Sequence, residues 1–306
     1  MTNYYYWFAC FAYCDDAQIS NKKCCPDILK EWEIVFHKEY YMDLLEFIIG
    51  LFETSVSVIY DMIFKKLTKL YKNILINKFI YYYNFVILKS DKHKKIICAF
   101  PGTTNILQLI IEIACSNLIS VPNKNNKDFK VSKMFYNTFE EIKDDFVKNL
   151  LKISGANKSD YQTIFVGHSL GGALASLASF YTINQNIIKS EPILITFGQP
   201  RVGNEPFAMY LTENIQQIYR FARLNDIVTL NPLINQEKMN LGISILLEDN
   251  KILKYAKIIK FLFEIFDLNN KIFKSNNLYS HIGGLFMIDD YKKKIYHCKD
   301  FYNQNT

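Results

Sequence analysis

The chain lacks any uncharged run long enough to cross a bilayer. The nearest, residues 103–121, is interrupted by Glu112 and several amides. It also lacks a Cys-x-x-Cys pair and any His/Cys spacing of the kind that binds zinc, so neither a metal nor a cofactor is expected. An excess of charge of one sign is missing too. Lysine and arginine number 36 against 30 acidic residues, and the resulting +6 is spread along the chain. Nucleic acid is therefore not implied as a partner, and no stable protein partner is either. Proline and glycine are sparse, at 7 and 11 residues, and no Gly/Ser/Pro-rich linker or internal repeat divides the sequence. Residues 1–306 are accordingly read as one domain. Histidine is scarce as well, with five in all, which leaves few candidates for a general base.

What is present is a large apolar fraction. Half of the 306 residues are hydrophobic and 15% are aromatic, enough to bury a substantial core. The N-terminus, MTNYYYWFACFAYC, is aromatic but has no basic region ahead of it and no convincing cleavage site, so no signal peptide is assigned and the localisation stays open. Seven cysteines occur, four of them within the first 25 residues and Cys298 near the other end. That clustering suits a disulfide tying the termini of a secreted or lumenal domain; free buried cysteines are the alternative.

Hydrophobic spacing of three and four residues predicts helix over residues 26–80, through Trp32, Val35, Phe36, Tyr40, Leu44, Phe47 and Leu51. Its later part, from Ile63, reads as a surface helix with a solvated lysine face. Residues 79–88 and 95–100 read as strands joined by the polar turn at 90–92. Phe135, Phe139, Ile142, Phe146, Leu150 and Ile153 share one helical face. Residues 193–197 and 218–222 read as further buried strands. Alternating strands and helices predict an α/β fold with a mostly parallel central sheet flanked by helices.

The pivot of this pattern is TIFVGHSLGGALASL, residues 163–177. A short buried strand runs into Gly167-His168-Ser169-Leu170-Gly171, and small residues then open a helix. This is G-x-S-x-G in the strand–turn–helix setting of a nucleophile elbow. The turn strains the serine, and the residues two before and two after it approach so closely that both must lack a side chain.

Five segments occur in order: FPGTT (100–104), GHSLGGALASL (167–177), TFGQPRVGN (196–204), YRFARLNDIV (219–228) and YSHIG (279–283). Together they resemble the class 3 lipases, the fungal-lipase-like branch of the α/β-hydrolases, from about Tyr13 to the C-terminus. The resemblance implies a carboxylic-ester hydrolase that degrades acylglycerols at a membrane or droplet interface. Ser169 would be the nucleophile and Asp226 the carboxylate that orients a histidine. The oxyanion hole would use the Leu170 and Thr103 amides. Pro101 stands where the family usually has arginine. Residues 105–111 would form a lid, with a core helix as the other reading.

For the base, His297 near the C-terminus and followed by aromatics is the first candidate. His281, in a motif that is structural in the family, is the alternative. On a third alignment residues 293–298 are the family's last strand and the catalytic segment follows Thr306. The resemblance also places one of Cys14, Cys24 and Cys25 within disulfide reach of Cys298. Finally, a helical insertion is expected at about 235–275, where Lys251, Lys254, Lys257 and Lys260 alternate with apolar residues. It is either an inserted helix packed on the domain or an interfacial anchor.

Overall fold

A computed structural model of the chain describes residues 2–14, 30–43, 80–103, 118–124, 127–154, 160–223, 227–230, 285–289 and 294–297. In chain order its elements are α1 (Thr2–Phe11), β1 (Glu33–Asp43), β2 (Ile80–Ser90), β3 (Lys95–Phe100), β4 (Leu118–Ser120), β5 (Lys130–Ser132), α2 (Lys133–Ser154), β6 (Gln162–His168), α3 (Leu170–Asn184), β7 (Ile193–Phe197), α4 (Glu205–Asn214), β8 (Gln217–Arg223), α5 (Ile227–Leu230), β9 (Leu285–Asp289) and β10 (Lys294–His297).

One eight-stranded sheet, in the order β1-β2-β3-β6-β7-β8-β9-β10, organises the molecule. β3, β6, β7, β8 and β9 are parallel, while β1, β2 and β10 pair antiparallel at its two flanks. The central strands read as near-continuous apolar runs because both of their faces are covered. Side chains alternate between the faces. Phe85, Ile87, Ile96, Cys98, Phe100, Phe165 and Leu194 join the core under α2 and α3. Val86, Leu88, Ile97, Ala99, Ile164, Val166 and Ile195 join the core under α1.

On the first face, Phe146 of α2 is fully buried and meets the rings of Phe85, Phe100 and Phe165 at centroid separations of 5.9, 6.1 and 6.3 Å. On the second, Phe8 and Phe11 of α1 are almost wholly buried. The aromatic N-terminus is thus a helix that buries one side in the core and leaves Tyr4, Tyr6 and Trp7 exposed, which its sequence alone did not reveal.

The helical reading of residues 26–80 is corrected over Glu33–Asp43, which forms a strand antiparallel to β2. A spacing of four satisfies a helix and an even-numbered strand face equally. Phe36 and Tyr40 therefore fit both, and the ladder to β2 decides for the strand. Phe36 stacks on Phe85 at 4.9 Å and Tyr40 on Tyr83 at 5.5 Å. The rest of that predicted helix, the 105–111 lid and the 235–275 insertion lie outside the described residues. No helix among the described residues is long and apolar enough to cross a membrane. Cys14 is disulfide-bonded, to a partner outside the described residues, whereas Cys10 and Cys98 are free.

Candidate active site

Ser169 stands between the end of β6 and the first residue of α3, with φ 53° and ψ −124°. A serine at positive φ is strained, and here two close approaches hold it so. A Cβ on Gly167 would lie 2.1 Å from the Gly171 carbonyl oxygen, and one on Gly171 would lie 2.1 Å from the Phe100 carbonyl oxygen. The elbow is also pinned by its backbone. The Ser169 amide donates to the Phe197 carbonyl at 2.9 Å, and the Gly172 amide to the Ser169 carbonyl at 2.9 Å. Leu170 supplies the first amide of α3, which has no intrahelical acceptor and carries the positive end of the helix dipole.

The second candidate donor lies beside this turn. β3 ends at Phe100, which pairs with Gly167, so residues 101–103 emerge directly against the elbow. At Gly102 the approach is close enough that a Cβ would fall 2.7 Å from the Ser169 Cβ. Thr103 is the next residue. Sequence placed Leu170 and Thr103 as the two oxyanion donors, and the structure brings the segments that carry them together around the serine.

The loop after β7 completes the wall. Gln199 packs against Gly172 at the start of α3, and the buried Arg220 on β8 donates from Nη2 to the Gln199 carbonyl at 3.1 Å. Asn204 caps α4 by accepting from the Phe207 amide at 3.2 Å, and it also accepts from the Lys130 amide at 3.1 Å. Much of TFGQPRVGN is thus spent holding this loop rather than on chemistry. Asp226 lies outside the described residues, between β8 and α5. β8 is parallel to β6 and ends at Arg223, on the carboxyl edge of the sheet where the elbow lies.

The histidines separate clearly. His297 pairs with Phe286, Phe286 with Phe221, Phe221 with Phe197, and Phe197 with His168. His297 therefore shares a row with the residue before the serine, but four strands away, or about 19 Å at ~4.8 Å per strand. β10 is running toward the opposite edge of the sheet when it reaches His297. His297, expected as the base, is the last residue of β10, four strands from the elbow strand in the sheet order.

His37, on β1, is three strands from β6 through Val86 and Ala99. His93 sits at the β2–β3 turn, bonded to Glu31 at 2.6 Å. His168 is turned onto Tyr13, its Nδ1 lying 2.5 Å from the phenol oxygen. Burial lowers the pKa of His168, keeping the imidazole neutral. His281 lies outside the described residues. Among the described residues no cluster of His, Cys, Asp and Glu could hold a metal ion.

A strained serine on a strand–turn–helix elbow, at the carboxyl edge of a mostly parallel sheet, defines an α/β-hydrolase. Comparison with known proteins shows what part of the chain is similar to. Residues 97–236 match the family model "Lipase (class 3)". The chain is 32% identical over 147 residues to a lipase of Rhizopus niveus, covering 47% of this chain and 36% of the relative. It is 33% identical over 101 residues to secreted mono- and diacylglycerol lipase A of Penicillium cyclopium, covering 33% of this chain and 32% of that protein. The matches thus span about a third of the length of these relatives.

Among solved structures, lipase II from Rhizopus niveus superposes with a TM-score of 0.53 at 25% identity, covering 74% of this chain and 72% of that one. A crystal structure of MDLA from Penicillium cyclopium has a TM-score of 0.54 at 17% identity, covering 94% and 78%, a likeness of fold alone. The chain has the α/β-hydrolase fold, and its residues 97–236 are similar to the class 3 lipases.

Proposed function

We propose that the protein is a serine carboxylic-ester hydrolase acting on acylglycerols through an acyl-enzyme on Ser169. The observation that carries this reading is the elbow: a serine at φ 53°, pressed between two glycines, with the candidate oxyanion loop against its Cβ. Structural proteins have no use for such strain, whereas a nucleophile needs its Oγ lifted out of the turn. The class 3 lipase match and the names of the relatives favour lipid esters, met at a membrane or droplet interface. In this reading Ser169 attacks the ester carbonyl, the Leu170 and Thr103 amides hold the oxyanion, and Asp226 orients the base. The base would be His297 or, as the alternative, His281.

A second reading is favoured by the position of His297: a lipase-like protein that binds lipid in the same cleft with little turnover. Titration of fatty acid released from mono-, di- and triacylglycerol emulsions separates the two. The enzyme reading expects release by the wild type and its loss in Ser169→Ala. A wild type that binds the emulsions but matches Ser169→Ala in release would establish the second reading.

A further inference from the structure

We propose that Tyr13 is a positioning residue whose phenol bridges the two halves of the candidate oxyanion hole. Its hydroxyl oxygen accepts a hydrogen bond from the Gly102 amide at 2.7 Å and lies 2.5 Å from His168 Nδ1. Gly102 immediately precedes Thr103, the donor on the loop. His168 immediately precedes Ser169, which leads into Leu170, the donor on the elbow. One side chain, about 90 residues earlier than the loop and further still from the elbow, therefore ties both segments together.

The Gly102 amide donates to the phenol oxygen, and the direction of the second bond, between the phenol and Nδ1, follows the tautomer of His168. A Cβ on Gly102 would lie 2.5 Å from the phenol oxygen, so no larger residue fits between Tyr13 and the serine.

Tyr13 is itself fixed from outside the site. Phe8 and Phe11 bury the helix that precedes it. The Ala12 amide donates to the Phe8 carbonyl, the Tyr13 amide to Cys10, and the Cys14 amide to Phe11, at 3.0–3.1 Å. Asn84 of β2, fully buried, donates to the Ala12 carbonyl at 3.0 Å. Cys14 is held by its disulfide. The phenol thus reaches the loop from a segment anchored in the core and by a covalent bond, so the loop is placed relative to the elbow by a third, rigid element. Preorganised donors outweigh mobile ones because they need no rearrangement as charge develops. The catalytic consequence rests on the function proposed above; the bridge itself does not.

The test compares the full-length wild type, Tyr13→Phe and, as a control on the preceding helix, Tyr6→Phe. Backbone hydrogen exchange is followed in the peptide containing Gly102, and labelling of Ser169 is followed with a fluorophosphonate. Tyr13→Phe keeps the ring and loses only the hydroxyl. Exchange at Gly102 is expected to speed about tenfold or more and labelling to slow about tenfold, the weight of one hydrogen bond. Tyr6→Phe should change neither.

Unchanged exchange in Tyr13→Phe overturns the bridge whatever the labelling does. Faster exchange with labelling at the wild-type rate overturns its role in positioning. A wild type that the probe never labels defeats the proposed function, and the exchange comparison then decides the bridge alone.

Discussion

Gly171→Ala is the substitution whose cost the structure fixes most tightly. The new Cβ would lie 2.1 Å from the Phe100 carbonyl oxygen, 2.4 Å from the Pro101 carbonyl oxygen and 2.5 Å from the Phe100 carbonyl carbon. All three are backbone atoms, so no rotamer change relieves the contact. The start of α3 and the end of β3 must part by roughly 1 Å, and overpacking of this kind costs about 1–3 kcal/mol. The movement opens the same gap that sets the distance between the elbow and the oxyanion loop. A displacement of ~1 Å in a catalytic constellation lowers rate by ~10²-fold.

Urea unfolding and fluorophosphonate labelling read the two effects separately, with labelling corrected to the folded fraction. Met209→Ala, on the exposed side of α4, gives the background. We expect a lower unfolding midpoint with an unchanged slope, together with a labelling rate depressed far more than the loss of folded protein explains. A Gly171→Ala protein with the wild-type midpoint and a labelling rate within about twofold of wild type would refute the reasoning, because the elbow could not then be as tight as described.

Two other expectations follow from the same framework. If His281 is the base, His297→Ala should leave the labelling rate of Ser169 within about twofold of wild type, with four strands between the two residues; a loss of orders of magnitude would make His297 the base. Asp145 accepts from Lys38 Nζ and from the Tyr40 hydroxyl, each at 2.7 Å, and these two bonds, the lysine first, hold its pKa below the usual carboxylate range. A carboxylate with a depressed folded pKa stabilises the fold above its unfolded value and loses that contribution as pH falls through the folded one. Asp145→Asn should therefore be less stable than wild type at neutral pH, and the difference should shrink as pH drops below about 4; a difference independent of pH would contradict the pairing.

The elbow, the strands around it and the long helix α2 were legible because each rests on local chemistry. Glycines flank a strained serine, apolar runs mark strands covered on both faces, and one apolar stripe marks α2. The misread segment shows where local chemistry stops deciding. In β1 the spacing of Phe36 and Tyr40 suits either periodicity, and only the partner strand, dozens of residues later, resolves it. Histidine assignment meets a related limit. Motif order puts His297 late in the chain, where a base belongs, but its distance from Ser169 is set by the number of strands between them, which is a property of sheet order. Tyr13 was visible only as the point where the family resemblance begins. Nothing local indicates that a phenol beside a cysteine will meet Gly102 and His168, because that contact depends on where α1 docks on the sheet.

The central claim is that the elbow serine is an activated nucleophile. Its most direct test is mass-spectrometric mapping of a fluorophosphonate adduct on the wild type beside Ser169→Ala. The account predicts a single adduct on the peptide containing Ser169 and no labelling of the variant. Equal labelling of both proteins, or an adduct on another residue, would contradict it.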